Sequence, residues 1–298
     1  SYMALRIPEA KDVTRKKVLV RVDFNVPIKN GVVSDDTRIK AHLETLRFLK
    51  ENGAFITLIS HLGRPKEGRD PEFSLKPVAE YLSNLTGWKV NFIPDCIGEA
   101  VEGAVASQLQ DEIIVLENVR FYKEETKNDP SFAEKLAKPF EVFVMDAFSA
   151  AHRAHASTRG VADYLKSFAG FLIKKEIESL SVVRDNPTHP YVLILGGAKV
   201  SDKIGVIENL LPKVDHILIG GGMAYTFLKA KGYGIGKSLC EEDKIEYANK
   251  LISLSQVKGV KIHLPLDCVA TLEAKADVPT IVIDTETSIL DDMMGLDI

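Results

Sequence analysis

The sequence holds no run of apolar residues approaching the roughly 20 needed to cross a bilayer, so it offers no candidate membrane-spanning helix. Cysteine is scarce: Cys96, Cys240 and Cys268 are odd in number, far apart and without a CxxC pair, which suggests neither a disulfide framework nor a zinc site. No signal-peptide pattern opens the chain, and the cytoplasm is the default expectation. A basic excess is also missing. With 38 Lys and Arg against 42 Asp and Glu the net charge is -4, whereas a general nucleic-acid binder needs a broadly basic face. There is no low-complexity tract, and no GxGxxG follows a predicted strand, which argues against a dinucleotide fold of the usual kind.

What is present is an ordinary globular composition, 45% hydrophobic and 27% charged over 298 residues, enough for two domains. Ser1 and Tyr2 ahead of Met3 read as an expression remnant, with the native chain expected to start at Met3. Asn84-Leu85-Thr86 fits a glycosylation acceptor by chance, given a reducing compartment.

Short apolar strands alternate with helices throughout. Lys17 to Val22 reads as a strand that stops at Asp23-Phe24-Asn25-Val26-Pro27. Thr37 to Asn52 reads as one helix, with Ile39, Leu43, Leu46 and Leu49 on one face and Gly53 as its stop. Ala54 to Ser60 is the next strand and runs into His61-Leu62-Gly63-Arg64-Pro65. Glu112 to Leu116 ends at Asn118 and Arg120, and Phe140 to Met145 ends at Asp146 and the loop His152-Arg153-Ala154-His155. Gly170 to Asn186 reads as a single helix closed by Pro187 and Pro190, a candidate connector between domains. The alternation then resumes, with strands at Tyr191 to Leu195, Asp215 to Ile219, Val260 to Leu264 and Thr280 to Ile283. The fold class expected from this alternation is α/β, a largely parallel sheet with helices on both faces.

In the first half, the predicted strand ends deliver Asp23 and Asn25, His61 and Arg64, Asn118 and Arg120, and Arg153 to one edge of a sheet, where open α/β sheets bind ligands. Arg38 stands at a helix start, where a cation opposes the macrodipole. Arg38, Arg64, Arg120 and Arg153 would form a cationic basket for a small, multiply charged anion, and Asp23 could hold one of these arginines in place. For the HxxH alone, the plainer reading is a polar loop capping a helix; it lacks the setting of a zinc protease.

In the second half, Gly196-Gly197 and Gly220-Gly221-Gly222 each follow a strand and precede a helix. Steric need explains single glycine pairs, while two at one sheet edge point to a nucleotide approaching the backbone. Lys199 and Lys203, four apart, would share one helix face and reach phosphate oxygens. Gly232 to Ser238, GYGIGKS, resembles a P-loop, but it is one residue short and a helix precedes it.

At these residues the chain closely resembles phosphoglycerate kinase of bacterial type. The matching segments are RVDFNVP (Arg21 to Pro27), DDTRI (Asp35 to Ile39), SHLGRP (Ser60 to Pro65), LENVRFYKEE (Leu116 to Glu125), DAFSAAHRAHAS (Asp146 to Ser157), GGAKVSDKIGVIENLL (Gly196 to Leu211) and GGGMAYTFLKAKG (Gly220 to Gly232). The resemblance implies two doubly wound parallel-sheet domains joined by a hinge helix, divided as 1–169, then 170–186 as the hinge helix, then 187–298 as an incomplete second domain. It implies reversible phosphoryl transfer between 1,3-bisphosphoglycerate and ADP, giving 3-phosphoglycerate and ATP, with Mg2+ accompanying the nucleotide. It implies that Asp23, Asn25, Arg38, His61, Arg64, Arg120 and Arg153 hold the phosphoglycerate, with His152 and His155 as supporting wall. On the other side, Lys203 meets nucleotide phosphates, Gly197 is among the nucleotide-binding residues, and Gly221, Gly222 and Gly295 line the adenine side. Arg38 and Lys199 are the residues it assigns to the transferring phosphoryl group. A monomer acting on small molecules is expected, with neither nucleic acid nor membrane as partner.

The resemblance also implies roughly a hundred further residues beyond MGLDI, about what a second domain of ordinary size needs. They would carry a magnesium-binding Asp and a final helix. The 298 residues are therefore expected to show weak or absent turnover while keeping phosphoglycerate binding; the alternative is a non-catalytic, anion-binding fragment.

Overall fold

Lys17–Arg21 is buried along almost its whole length on both faces, as a central strand of a parallel sheet must be. The computed structural model describes residues 2–66, 68–151, 153–180, 191–264, 267–271, 280–284 and 294–297. In chain order the elements begin with β1 (Tyr2–Leu5), α1 (Ala10–Val13), β2 (Lys17–Arg21), β3 (Ile28–Lys29), β4 (Val32–Val33), α2 (Thr37–Ala41), α3 (Leu43–Glu51) and β5 (Phe55–Ile59). Then come α4 (Lys76–Thr86), β6 (Lys89–Ile93), α5 (Glu99–Ala106), β7 (Glu112–Leu116), α6 (Pro130–Ala137), β8 (Val142–Met145), β9 (Lys166–Ala169) and α7 (Phe171–Leu180). The remainder holds β10 (Val192–Leu195), α8 (Ile204–Leu210), β11 (His216–Ile219), α9 (Met223–Ala230), α10 (Ile245–Lys258), β12 (Lys261–His263), β13 (Asp267–Thr271), β14 (Thr280–Asp284) and β15 (Met294–Asp297).

The chain divides into two units. The first comprises Ile7–Ala150 and His155–Leu180; the second comprises Ser1–Arg6, Ala151–Ala154 and Ser181–Ile298. In the first unit six strands run parallel in the order β6-β7-β5-β2-β8-β9. From β2 the chain winds outward through β5, and it later returns to the other side of β2 with β8. The strand order therefore reverses between β2 and β8, and the loops leaving their carboxyl ends border the crevice where such sheets bind ligands. Val18, Val20, Leu46, Leu49, Ile56 and Leu58 form the centre of one packed layer. α4 presents Val78, Ala79 and Leu82 to that core and stops at Gly87, whose φ of 73° closes it in the left-handed region.

Two expectations about this half change. The single helix expected from Thr37 to Asn52 is two helices, α2 and α3, broken at His42. The His42 ring is wholly buried and bonded on both nitrogens to groups at the ends of β2 and β8, and the chain tightens there to a three-residue bond, His42 N–H to Ile39 carbonyl at 3.2 Å. The division expected at 1–169 also shifts, because Tyr2–Leu5 is an edge strand of the other sheet.

In the second unit β10, β11 and β12 are parallel, and β1 pairs antiparallel with β10 from Tyr2 opposite Leu195 to Leu5 opposite Val192. Leu193, Leu195, Ile217, Ile219 and Phe227 centre its core. The strand expected at Thr280 to Ile283 lies in a separate antiparallel sheet, β14-β13-β15. The expected connector forms a helix over Phe171–Leu180, which groups with the first unit. Its continuation to Asn186, together with Pro187, Pro190 and His152, lies outside the described residues.

Gly170, between β9 and α7, is where a side chain is least tolerable: a Cβ there would overlap the buried Asp146 carboxylate, with Cγ 2.5 Å away. Gly170→Ala is expected to lower unfolding free energy by about 2–4 kcal/mol in urea titrations, since Asp146 cannot move aside. Gly103→Ala, on α5 with open space around the new methyl group, should instead raise it by about 0.5–1 kcal/mol.

Candidate functional site

Asp23 stands just past the end of β2 and is almost wholly buried. Its Oδ1 accepts from the Asn25 N–H at 3.1 Å and lies 3.4 Å from Arg38 Nη1, while Oδ2 accepts from Ser149 Oγ at 2.5 Å. Arg38 Nη1 also donates to the Asn25 carbonyl at 2.7 Å. These bonds explain a cation in the first turn of α2, where the helix dipole disfavours it: the guanidinium is held by the β2 loop. The side chain remains 53% exposed, so this ion pair adds little to stability and leaves Arg38 facing solvent.

The loop after β5 is stapled to its neighbours by side-chain amides. Asn25 Oδ1 accepts from the Gly63 N–H at 2.8 Å. Asn118, which caps a short helical turn after β7, donates through Nδ2 to the carbonyls of Leu62 at 2.7 Å and Phe73 at 3.0 Å, and its Oδ1 accepts from the Arg120 N–H at 3.0 Å. Arg120 Nη1 donates to the Gly63 carbonyl at 3.3 Å. Gly63 itself has φ of 60°, and a Cβ there would sit 2.5 Å from the Phe73 ring, so both conformation and space require glycine. Arg64 follows on the same loop and is exposed.

His61 is 5% exposed, and its Nδ1 lies 2.8 Å from Arg21 Nη2. A guanidinium only donates, so Nδ1 is the acceptor and the ring proton sits on Nε2. Arg21, wholly buried, also donates through Nε to Ser157 Oγ at 2.9 Å and through Nη1 to the Val22 carbonyl at 2.5 Å. Ser157 in turn donates from N and Oγ to the Glu125 carboxylate, at 2.8 and 2.7 Å. Burial pushes the Glu125 carboxyl up, with the Arg21 charge and the Ser157 donors pulling it back. His155 Nδ1 lies 3.9 Å from Glu125.

The structure thus places Asp23, Asn25, His61, Arg64 and Arg120 after the adjoining strands β2, β5 and β7 of the first unit, with Arg38 on α2 held by the β2 loop. Arg153 is not among them: Ala151–Ala154 group with the second unit. Asn118 belongs to the site only as a staple, because both ends of its amide are taken up by backbone. Sequence reading missed Arg21, Ser149 and His42. For His42 a signal existed, since it falls on the apolar stripe of Ile39, Leu46 and Leu49 at helical spacing.

In the second unit Gly197 and Gly221 have φ of 119° and 68°. A Cβ on Gly221 would lie 2.7 Å from the Gly197 carbonyl oxygen and 2.8 Å from its nitrogen, and the Met223 N–H donates to that same carbonyl at 3.0 Å. The two glycine turns expected at one sheet edge therefore pack backbone on backbone. Gly222 is close to Leu239 and Ala198, and Lys203 Cε stands 3.8 Å from where a Gly197 Cβ would be. The shared helix face expected for Lys199 and Lys203 is not found. Lys199 is extended, with φ -123° and ψ 128°, and precedes a short 3-10 turn, so helical spacing does not apply to it. Glu241 occupies the start of that turn, accepting from Ser201 N at 3.2 Å and Oγ at 2.8 Å. Gly295 lies on β15, opposite Ala270, outside the sheet that carries the glycine turns. Among the described residues no group of three or more histidine, cysteine, aspartate or glutamate side chains could hold a metal ion, and no helix is long and apolar enough to cross a membrane.

A parallel, doubly wound sheet with cationic and amide groups at its strand ends places the chain among α/β proteins that bind ligands at the carboxyl edge of the sheet. A sequence profile of phosphoglycerate kinase matches residues 8–298. The phosphoglycerate kinase of Dictyoglomus turgidum is 52% identical over 288 residues, covering 97% of this chain and 72% of the relative. That of Moorella thermoacetica is 54% identical over 287 residues, 96% of this chain and 73% of the relative. A wheat protein named phosphoglycerate kinase, cytosolic, is 52% identical over 289 residues, covering 96% and 72%. The solved phosphoglycerate kinase of Coxiella burnetii aligns with a TM-score of 0.52 and 41% identity, covering 96% of this chain and 72% of that one. The chain belongs to the phosphoglycerate kinase family.

Asn118→Ala would leave the Leu62 and Phe73 carbonyls and the Arg120 N–H without their partner. It is expected to lower unfolding free energy by about 2–3 kcal/mol, measured by urea denaturation.

Proposed function

We propose that the protein carries out reversible phosphoryl transfer between 1,3-bisphosphoglycerate and ADP, with phosphoglycerate held by the first unit and the magnesium nucleotide by the second. The observation that carries this reading is the linked set Asp23, Arg38, Asn25, Gly63 and Arg120, which holds the Arg38 guanidinium against a buried carboxylate and the Arg120 guanidinium on the neighbouring Gly63 loop at one sheet edge. Arg38, Arg64 and Arg120 would neutralise the phosphate and carboxylate of the substrate, with the protonated Nε2 of His61 as a further donor. Asp23 and Asn25 would meet its hydroxyl group and hold Arg38.

In the reverse direction a carboxylate oxygen of 3-phosphoglycerate attacks the γ-phosphorus of ATP, the bond to the β,γ-bridging oxygen breaks, and ADP leaves with that electron pair. A carboxylate is already ionised at neutral pH, so no general base is required. The protein's work is positioning and charge neutralisation, with Arg38 and Lys199 assigned to the equatorial oxygens. The Gly221 turn, whose Cβ position is filled by the Gly197 backbone, would give a flat surface for the adenine, with Lys203 near Gly197 for phosphate and Gly222 and Gly295 as further lining. Magnesium enters as part of the nucleotide substrate. Residues 170–186 are proposed as the connector between the two units. The protein is proposed to act as a monomer in the cytoplasm.

The chain spans about seven tenths of the relatives' length, and we propose that these 298 residues alone bind phosphoglycerate while turning over slowly or not at all. Calorimetric titration with 3-phosphoglycerate is expected to give saturable binding that weakens about tenfold or more in Arg38→Ala, the loss of a charge-assisted contact. Unchanged affinity in that variant contradicts the assignment. In a coupled ATP-consuming assay, fast turnover by a chain verified by mass to end at Ile298 would sink the claim that more residues are needed.

A further inference from the structure

His42 joins α2 to α3, and its side chain has no exposure to solvent. The Asp23 N–H donates to its Nε2 at 2.9 Å. A backbone amide can only donate, so Nε2 carries no proton and the ring proton is on Nδ1, which donates to Asp146 Oδ2 at 2.7 Å. Asp146 is also wholly buried, and its other oxygen accepts from Thr45 Oγ1 at 2.9 Å and from the Leu172 N–H at 3.0 Å. Thr45 Oγ1 accepts in turn from the Phe171 N–H at 3.0 Å. A continuous set of hydrogen bonds thus runs from the first turn of α7, through the end of β8, to the backbone amide of Asp23. The ring of Phe24 meets the imidazole edge-on, with centroids 5.8 Å apart, and limits its rotation.

We propose that His42 is a positioning residue for the phosphoglycerate site: by accepting from the Asp23 N–H it fixes the backbone from which the Asp23 carboxylate engages Arg38, Asn25 and Ser149. The proposal rests on the reading that this site binds phosphoglycerate. His42 suits the place because one small ring both donates to a buried carboxylate and accepts from a backbone amide. An apolar residue would strand both groups, and a lysine could only donate. The plainer alternative is a core histidine that satisfies buried groups and affects stability alone.

Two substitutions separate these readings. His42→Asn puts its amide near the ring's Nδ1, keeping the Asp146 bond and losing the Asp23 one. His42→Gln reaches the Nε2 position and can accept from the Asp23 N–H. Folding is checked by circular dichroism, and 3-phosphoglycerate affinity is measured by calorimetry on the same chain. His42→Asn is expected to weaken binding roughly tenfold, the loss of one buried hydrogen bond that orders the site, while His42→Gln stays within about threefold of the parent. A folded His42→Asn chain that binds like the parent overturns the proposal, and so does a folded His42→Gln chain that binds as weakly as His42→Asn. No binding by the parent chain overturns the phosphoglycerate reading itself, which is a distinct result. Should His42→Asn fail to fold, long-range proton–nitrogen correlation on the parent decides: a ring proton on Nδ1 with slow exchange of the Asp23 amide supports the role, and a ring proton on Nε2 removes it.

Discussion

The buried carboxylate of Asp146 is the constraint on which the first unit depends. A charge with no access to water is tolerable only where donors replace its hydration, and here they come from three directions: the His42 ring, the Thr45 hydroxyl and the first turn of α7. To satisfy it, the helix after β2 must break at residue 42, Gly170 must lack a side chain, and α7 must start where it does. One buried carboxylate thereby ties the ends of β2, β8 and β9 together beside the point where the strand order reverses.

The loops around that point follow the same logic on a smaller scale. Parallel strands end with unpaired backbone groups, and the side-chain amides of Asn25 and Asn118 take them up, fixing the loops that carry His61, Arg64 and Arg120. Backbone carbonyl and amide bonds hold Arg120, and one shielded carboxylate, that of Asp23, holds Arg38. The second unit solves a different problem: its glycine turns touch backbone to backbone, so glycine there satisfies packing and would give a flat surface for a ligand at the same time.

Much of this was legible in the sequence, for physical reasons. Strands buried on both faces are short apolar runs, and the polar residues that follow them, Asp23, Asn25, His61, Arg64 and Arg120, mark the carboxyl edge. The break at His42 was hidden because apolar periodicity continues across it from Ile39 to Leu46, and only a titratable ring on that stripe hinted at a partner. The edge strand Tyr2–Leu5 was missed because four residues carry little pattern and the partner, β10, lies in the other half of the chain. Residue type alone marked Asn118 as a strand-end amide; that backbone uses up both its ends depends on loops brought together from distant segments. The extended conformation of Lys199 depends on the same kind of assembly.

The central claim is that the strand-end loops of the first unit form the anion site. It is tested most directly by titrating the isotopically labelled chain with 3-phosphoglycerate and following backbone amides by NMR. The account predicts that the amides of Asn25, Gly63 and Arg120 shift together along one saturating curve. Saturable binding that leaves those three amides unmoved would contradict it.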